Sequence, residues 1–214
     1  MPTKPDAIRK GRKFDQVVNG AREVFLKDGF EGASVDDIAK AANVSKATLY
    51  SYFPDKQILF LEVCRQQCAE QAEAALDLSN CDMTIEEILL IAARTLVGFI
   101  VSPFAQNITR IAIAEADRFP EFAREFYKSG PGLAHDRLVD ILSEAVLRRR
   151  LVIDDIGLAA HQFLVLCKSE LWAQVHYKII DVPDDAQIER IVQSTVQMFL
   201  ARYGVKAAEV TESA

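Results

Sequence analysis

The sequence predicts an all-α protein: an N-terminal three-helix helix-turn-helix domain followed by a larger helical domain. Apolar residues recur at helical spacing along nearly the whole chain. Several segments open on capping residues or Pro, and several close on Gly or Pro. No window shows the sustained alternation of a strand; Ile111 and Ile113 mimic it briefly, but the Ala and Glu around them favour helix.

The elements follow in order. Phe14, Val17, Val18, Ala21 and Phe25 share one face of a first helix, which Gly29 stops as a residue just past the end. Ser34 and Asp37 stand three apart, as in a capping box, and open a second helix that runs to about Ala41. Ala42-Asn43-Val44 is a tight turn, in which Asn43 suits a left-handed backbone. Ser45 caps a third helix that ends near Phe53, before Pro54-Asp55. A fourth helix covers 56–78, and Thr84 with Glu87 opens a fifth. Pro103 starts a segment to about Asp117, and Pro120 one to about Ser129 that Gly130-Pro131-Gly132 breaks. Helices over 133–149, 155–179 and 185–203 complete the chain, with Gly204 closing the last. The domains expected are 1–55, an arm with the helix-turn-helix; 56–204, the larger helical domain; and 205–214, a small polar tail.

Two short helices joined by a tight turn, with a third packed behind them, match the mechanics of a major-groove reader. Val35, Ile38, Val44, Leu49 and Phe53 can share a core with the apolar face of the first helix. That leaves Lys46, Ala47, Thr48, Tyr50, Ser51 and Tyr52 on the outer face of the third. Hydroxyls and lysine bond phosphates and base edges, while Ala47 and the Thr48 methyl suit a thymine methyl. Ser34, Ser45 and Lys46 lie at helix N-termini, where backbone N–H groups favour phosphate, and Lys56 begins the fourth helix within reach of another. For Tyr52, a packing role weighs equally with a DNA contact. Arg9-Lys10-Gly11-Arg12-Lys13 reads as a minor-groove arm or as a solvated basic tail.

The stretch AREVFLKDGFEGASVDDIAKAANVSKATLYSYFPDKQILF resembles the DNA-binding domain of TetR/AcrR-type regulators. The resemblance rests on Phe25…Gly29-Phe30, on Ser34-Val35-Asp36-Asp37-Ile38-Ala39 and on Ser45 through Phe53. It implies DNA contacts from Ser34, Lys46, Thr48, Tyr50, Tyr52 and Lys56. Asn43 and Ala47 stand where the family often has glycine, so no family operator is carried over. The resemblance also implies a helical second domain that dimerises and holds a small hydrophobic effector. IAIAEADRFPEFAREFYKSGPG is similar to AefR-like C-terminal domains.

The residues of the second domain support a dimer in their own right. Leu158, Phe163, Leu164, Leu166, Leu171, Trp172, Val175 and Ile179 fall on one of the last two long helices. Ile188, Ile191, Val192, Val196, Met198, Phe199 and Leu200 fall on the other. Apolar residues on more than one face imply burial on more than one side, either in a four-helix interface between two copies or deep in the core of a single chain. Phe60, Cys64, Phe99, Phe104, Cys167 and Trp172 are candidate pocket walls, each weighed against plain core packing. Arg94, in an otherwise apolar helix, either meets an anionic effector group or pairs with a carboxylate such as Glu115. Cys64 and Cys68 stand at i, i+4, read first as buried thiols and second as a metal or thiol sensor. His135, His161 and His176 have no metal or catalytic spacing and read as surface or capping residues.

The charge distribution narrows the function. Residues 1–56 carry ten Lys/Arg against eight Asp/Glu, whereas the whole chain has a net charge of −6. A slightly basic head on an acidic body suits a protein that meets DNA at one end. No Gly-rich phosphate loop, Gly-x-Ser-x-Gly elbow or His-Glu-x-x-His is found, so neither an enzyme nor a cofactor is expected. With no apolar leader and no run long enough to span a bilayer, the expectation is a cytoplasmic protein without membrane contact. The partners expected are a double-stranded palindromic operator, a second copy and a small effector. The alternatives are a helical small-molecule binder or enzyme with a relic head, and an activator or nucleoid-associated DNA binder.

Overall fold

The computed structural model describes residues 11–76, 83–117 and 119–205, the side chains of 68–76 excepted. Basic residues 9 and 10 of the expected arm, and Cys68 and Cys81 as side chains, lie outside it. Among the described residues every long element is helical, and the sole strand-like feature is a bridge between Leu151 and Gly204. Among the described residues no single helix is long and apolar enough to cross a membrane.

The chain forms two compact units that do not follow its order: Met1–Gln67 with Arg110–Phe126, and Cys68–Thr109 with Tyr127–Ala214. The unit that carries the helix-turn-helix therefore includes the start of the fourth helix and a later segment. The first unit holds α1 (Arg12–Gly32), α2 (Val35–Ala41), α3 (Lys46–Tyr52), the first half of α4 (Lys56–Leu76), the end of α6 (Pro103–Ala114) and most of α7 (Pro120–Tyr127). The apolar stripe of α1 is buried as its spacing requires, together with Ile38, Leu49, Phe53 and Leu59. Phe60 joins the segments: its ring lies 5.0 Å from Phe25, 5.0 Å from Phe30 and 6.2 Å from Phe122. Aromatic contacts of this geometry add about 0.5–1.5 kcal/mol each beyond area burial.

Gly29 adopts φ 72° and ψ 178°, a conformation open essentially to glycine alone. It kinks the helix instead of ending it, and a further turn runs to Gly32. Asn43 takes φ 51°, the left-handed conformation its short polar side chain tolerates.

The second unit holds α5 (Ile85–Ile100), the start of α6, α8 (Leu133–Leu147), α9 (Ile156–Cys167), α10 (Leu171–His176) and α11 (Asp185–Tyr203). α11 packs on α5 and α9, and α8 packs on α9. Leu89, Leu142, Phe163, Leu171, Val192 and Phe199 are among the side chains at the centre of its core. Thr84 and Glu87 form the reciprocal capping box expected of α5, and the Thr84 N–H and hydroxyl hold the Glu87 carboxyl below its ordinary range. An unanticipated capping box, Asp184 with Gln187, opens α11.

Two further expected boundaries move. Gly130-Pro131-Gly132 does not break the chain; Lys128–Gly132 form a π-turn that leads straight into α8. Pro131 has no N–H to donate to the carbonyl four residues back, and the wider turn accommodates it without ending the helix. Conversely, the single helix expected over 155–179 divides between Cys167 and Leu171. Glu170 turns to φ 54° there, although residues 168–170 include neither Gly nor Pro. Arg190 of α11 grips the Glu170 carboxylate at 2.5 Å, and Leu171 beside it is fully buried. Tertiary partners, not a local breaker, accompany this turn.

Candidate nucleic-acid interface

α2 and α3 are each started by one serine. The Ser34 hydroxyl accepts from the Asp37 N–H at 3.0 Å and donates to the Asp37 carboxylate at 2.5 Å. The Ser45 hydroxyl accepts from the Thr48 N–H at 3.1 Å and lies 2.9 Å from the Thr48 hydroxyl. Such caps contribute about 1 kcal/mol each, a large share for helices of seven residues. The turn between them closes through Asn43 N–H to Lys40 O (3.1 Å) and Val44 N–H to Ala39 O (3.0 Å).

With Leu49 and Phe53 inside, α3 presents Lys46, Ala47, Tyr50 and Ser51 to solvent. Thr48 and Tyr52 are half-buried. The Tyr52 ring stands edge-on to Phe14 at 5.9 Å, which gives it a packing role. The Ser51 hydroxyl donates to the Thr48 carbonyl at 2.6 Å. The resulting surface is one lysine, one tyrosine, a methyl and hydroxyls on a short, firmly seated helix. Its chemistry suits a groove-reading face.

Two lysines are engaged within the protein. Lys46 forms an ion pair with Asp36 of α2. The Lys56 ammonium donates to the carbonyls of Phe30 (2.6 Å) and Ala33 (3.1 Å) and lies 4.5 Å from the Phe30 ring centre. Lys56 thus fastens the start of α4 to the α1–α2 junction instead of extending into solvent. Asp36 was not singled out by the sequence; acidic residues in a first helical turn are ordinarily read as dipole complements.

The candidate effector residues divide between the units. Phe60 and Cys64 are buried in the first, and Phe104 and Cys167 are buried in the second, where Phe99 and Trp172 are half-buried. Burial pushes the Cys167 thiol up to about 12. Arg94 is exposed, and its partner is Glu189 of α11, not Glu115, through hydrogen bonds of 2.7 and 2.8 Å. The Arg94 guanidinium, with help from Gln193, holds the Glu189 carboxyl at about 2. An open hollow of about 350 Å³ is lined by Asp154, Asp155, Leu158, Gln162, Arg202 and Tyr203. It includes none of the residues chosen from sequence as pocket walls, although Leu158, chosen for the interface between copies, lines it.

His135 and His176 are more embedded than expected, whereas His161 is exposed as expected. His176 stacks on Trp172 at 4.6 Å, and its Nδ1 lies 2.8 Å from Oε1 of the buried Gln106, whose amide donates to the Ile100 carbonyl. This network ties α10 to α6 and α5. His135 is part-buried, its Nε2 3.2 Å from the Gly157 carbonyl, and its ring lies 4.1 Å from that of His161.

A capped tri-helical head with an exposed third helix is a helix-turn-helix DNA-binding domain, and the comparisons with known proteins place it. Residues 17–63 match the family model of bacterial regulatory proteins of the tetR family, and residues 87–205 match that of the AefR-like transcriptional repressor C-terminal domain. The chain belongs to the TetR family of bacterial transcriptional regulators. A solved TetR-family regulator from Mesorhizobium loti superposes with a TM-score of 0.81 at 28% identity, covering 93% of this chain and 100% of that one. The flavonoid-responsive regulator FrrA is 35% identical, with a TM-score of 0.66 over 92% of this chain and 100% of its own. The transcriptional repressor AcnR of Corynebacterium glutamicum is 36% identical over 58 residues, 27% of this chain and 31% of that protein. The chain thus matches less than a third of the length of that repressor.

Proposed function

We propose that this protein is a ligand-responsive transcriptional repressor that binds a palindromic operator as a homodimer and leaves it when a small hydrophobic effector binds the helical unit. The observation that carries the reading is the outer face of α3, where Lys46, Ala47, Tyr50 and Ser51 are exposed and both α2 and α3 are capped. Phosphate contacts from Ser34, Ser45, Lys46 and Tyr50 would position the helix, and Ala47, Thr48 and Ser51 would meet base edges. Two copies with their third helices in successive major grooves would read half-sites about 34–36 Å apart.

Exposed Leu158 and Val165 on α9 and exposed Met198 on α11 support an interface between copies along these helices. FrrA's description as flavonoid-responsive supports an effector of small hydrophobic type. Release by about 100-fold requires the effector to favour the released state by about 2.8 kcal/mol.

Selection of bound fragments from a pool of random duplexes, followed by footprinting, tests the reading. Enrichment of a two-fold symmetric site is expected, with protection lost on adding a hydrophobic compound that raises the melting temperature. Recovery of no common sequence would overturn it.

A further inference from the structure

We infer that Asp36 is a specificity-determining residue of the DNA-binding face: its carboxylate keeps Lys46 from contacting phosphate on arbitrary DNA and releases it only when α3 is seated in the groove. The inference rests on the reading of α3 as the recognition helix.

Asp36 is the second residue of α2 and Lys46 the first of α3. Their charged ends form an ion pair in which the side chains remain 65% and 57% exposed. Pairs this exposed contribute about 0–1 kcal/mol to stability, so the fold does not depend on this one. The other acidic residue of the same turn is differently employed, since Asp37 closes with both its N–H and its carboxylate on Ser34. Asp36 is not needed for the cap, and its carboxylate faces across the turn to the one lysine of α3.

The placement matters because the head has little charge to spare. Residues 11–56 contain seven Lys/Arg and seven Asp/Glu, so attraction to the DNA backbone from this segment depends on which cations are free to neutralise phosphate. Lys46 held by Asp36 displaces no counterion from DNA, and the Asp36 carboxylate repels a phosphate that approaches the α2–α3 edge. On arbitrary duplex no contact fixes the register of α3, and the ion pair persists. At a cognate site the base-edge contacts hold α3 in place long enough for a phosphate to replace the carboxylate on the ammonium, one charge-assisted bond exchanged for another. Asp36 therefore weakens arbitrary binding more than cognate binding, which is discrimination by a repulsive element.

The test uses the full-length chain, a fragment recovered by the random-duplex selection and a scrambled duplex of equal length, titrated from 50 to 200 mM salt. Asp36→Asn is expected to steepen the salt slope on scrambled duplex by about one, a further roughly fourfold change in affinity over that range. The slope on the selected fragment stays as in the wild type, so the specificity ratio falls. Asp36→Asn combined with Lys46→Gln restores the scrambled-duplex slope. Glu23→Gln, which removes the same charge from an exposed position on α1, shifts both duplexes in parallel. A parallel shift with Asp36→Asn, or no shift, would overturn the inference alone. Failure of the wild type to select any fragment would overturn the reading of α3, and the inference with it.

Discussion

Gly20 on α1 and Ala42 at the end of α2 meet without a side chain between them: a Cβ on Gly20 would lie 2.5 Å from the Ala42 nitrogen and 2.7 Å from its Cα. Backbone, not a flexible side chain, blocks the space, so a methyl group there separates α1 from the turn that aims α3. Gly20→Ala is expected to destabilise the head by about 1–3 kcal/mol. The melting temperature falls by several degrees, and binding to any selected fragment weakens because the groove-reading helix is displaced. An unchanged melting curve would show that the two helices part freely.

In the second unit, the Arg94–Glu189 pair makes stability depend on acidity. The Glu189 carboxyl is held at about 2, below its ordinary 4.5, because the guanidinium favours its charged form. A carboxyl depressed in the folded state contributes stability that is complete above its ordinary value and is lost as pH falls toward about 2. Acid unfolding of Glu189→Gln and wild type, followed by circular dichroism, should therefore show a wild-type advantage above pH 4.5 that closes toward pH 2. Curves that stay equally separated across this window would exclude the pair as its source. Both side chains are substantially exposed, so the effect is small.

Tyr50, 49% exposed in the middle of α3, lies outside the buried core. Tyr50→Ala is expected to leave the melting temperature within about 1 °C while weakening binding to the selected fragment at least tenfold, or about 1.4 kcal/mol. Binding equal to wild type would remove Tyr50 from the contact face.

Val165 is 67% exposed on α9. Val165→Glu places a charge on the proposed interface between copies without touching the core, and sedimentation should show a shift from dimer to monomer with helical content retained. A dimer of unaltered strength would locate the interface elsewhere.

Cys167 is buried, and its thiol is pushed up to about 12, so the reactive thiolate is scarce at neutral pH. Peptide mapping after brief treatment with a maleimide at pH 7.5 should find Cys167 unmodified in the native protein and modified after denaturation. Rapid native labelling would show that α9 opens locally.

Much of the head could be read from the sequence because its signals are local. Ser34 and Ser45 act on groups three residues away, Asn43 on its own backbone, and the α1 stripe on one helical face. The outward face of α3 then follows by subtraction, since Leu49 and Phe53 must point in. Lys56 was less legible: its position was clear, but its side chain turns back to carbonyls 26 and 23 residues earlier.

The sequence by itself determined the helical class, the capped helix-turn-helix and the division of charge between head and body, all set by spacing, caps and composition. The tertiary structure decided the partners. Arg94 meets a carboxylate 95 residues away, His176 meets Gln106 70 residues away, and the turn at Glu170 is held by Arg190 in a segment without a breaker. The reason is physical. A cap or an apolar stripe is stabilised within one or two helical turns and is written there, whereas an ion pair between helices depends on how those helices are packed, which no short window contains.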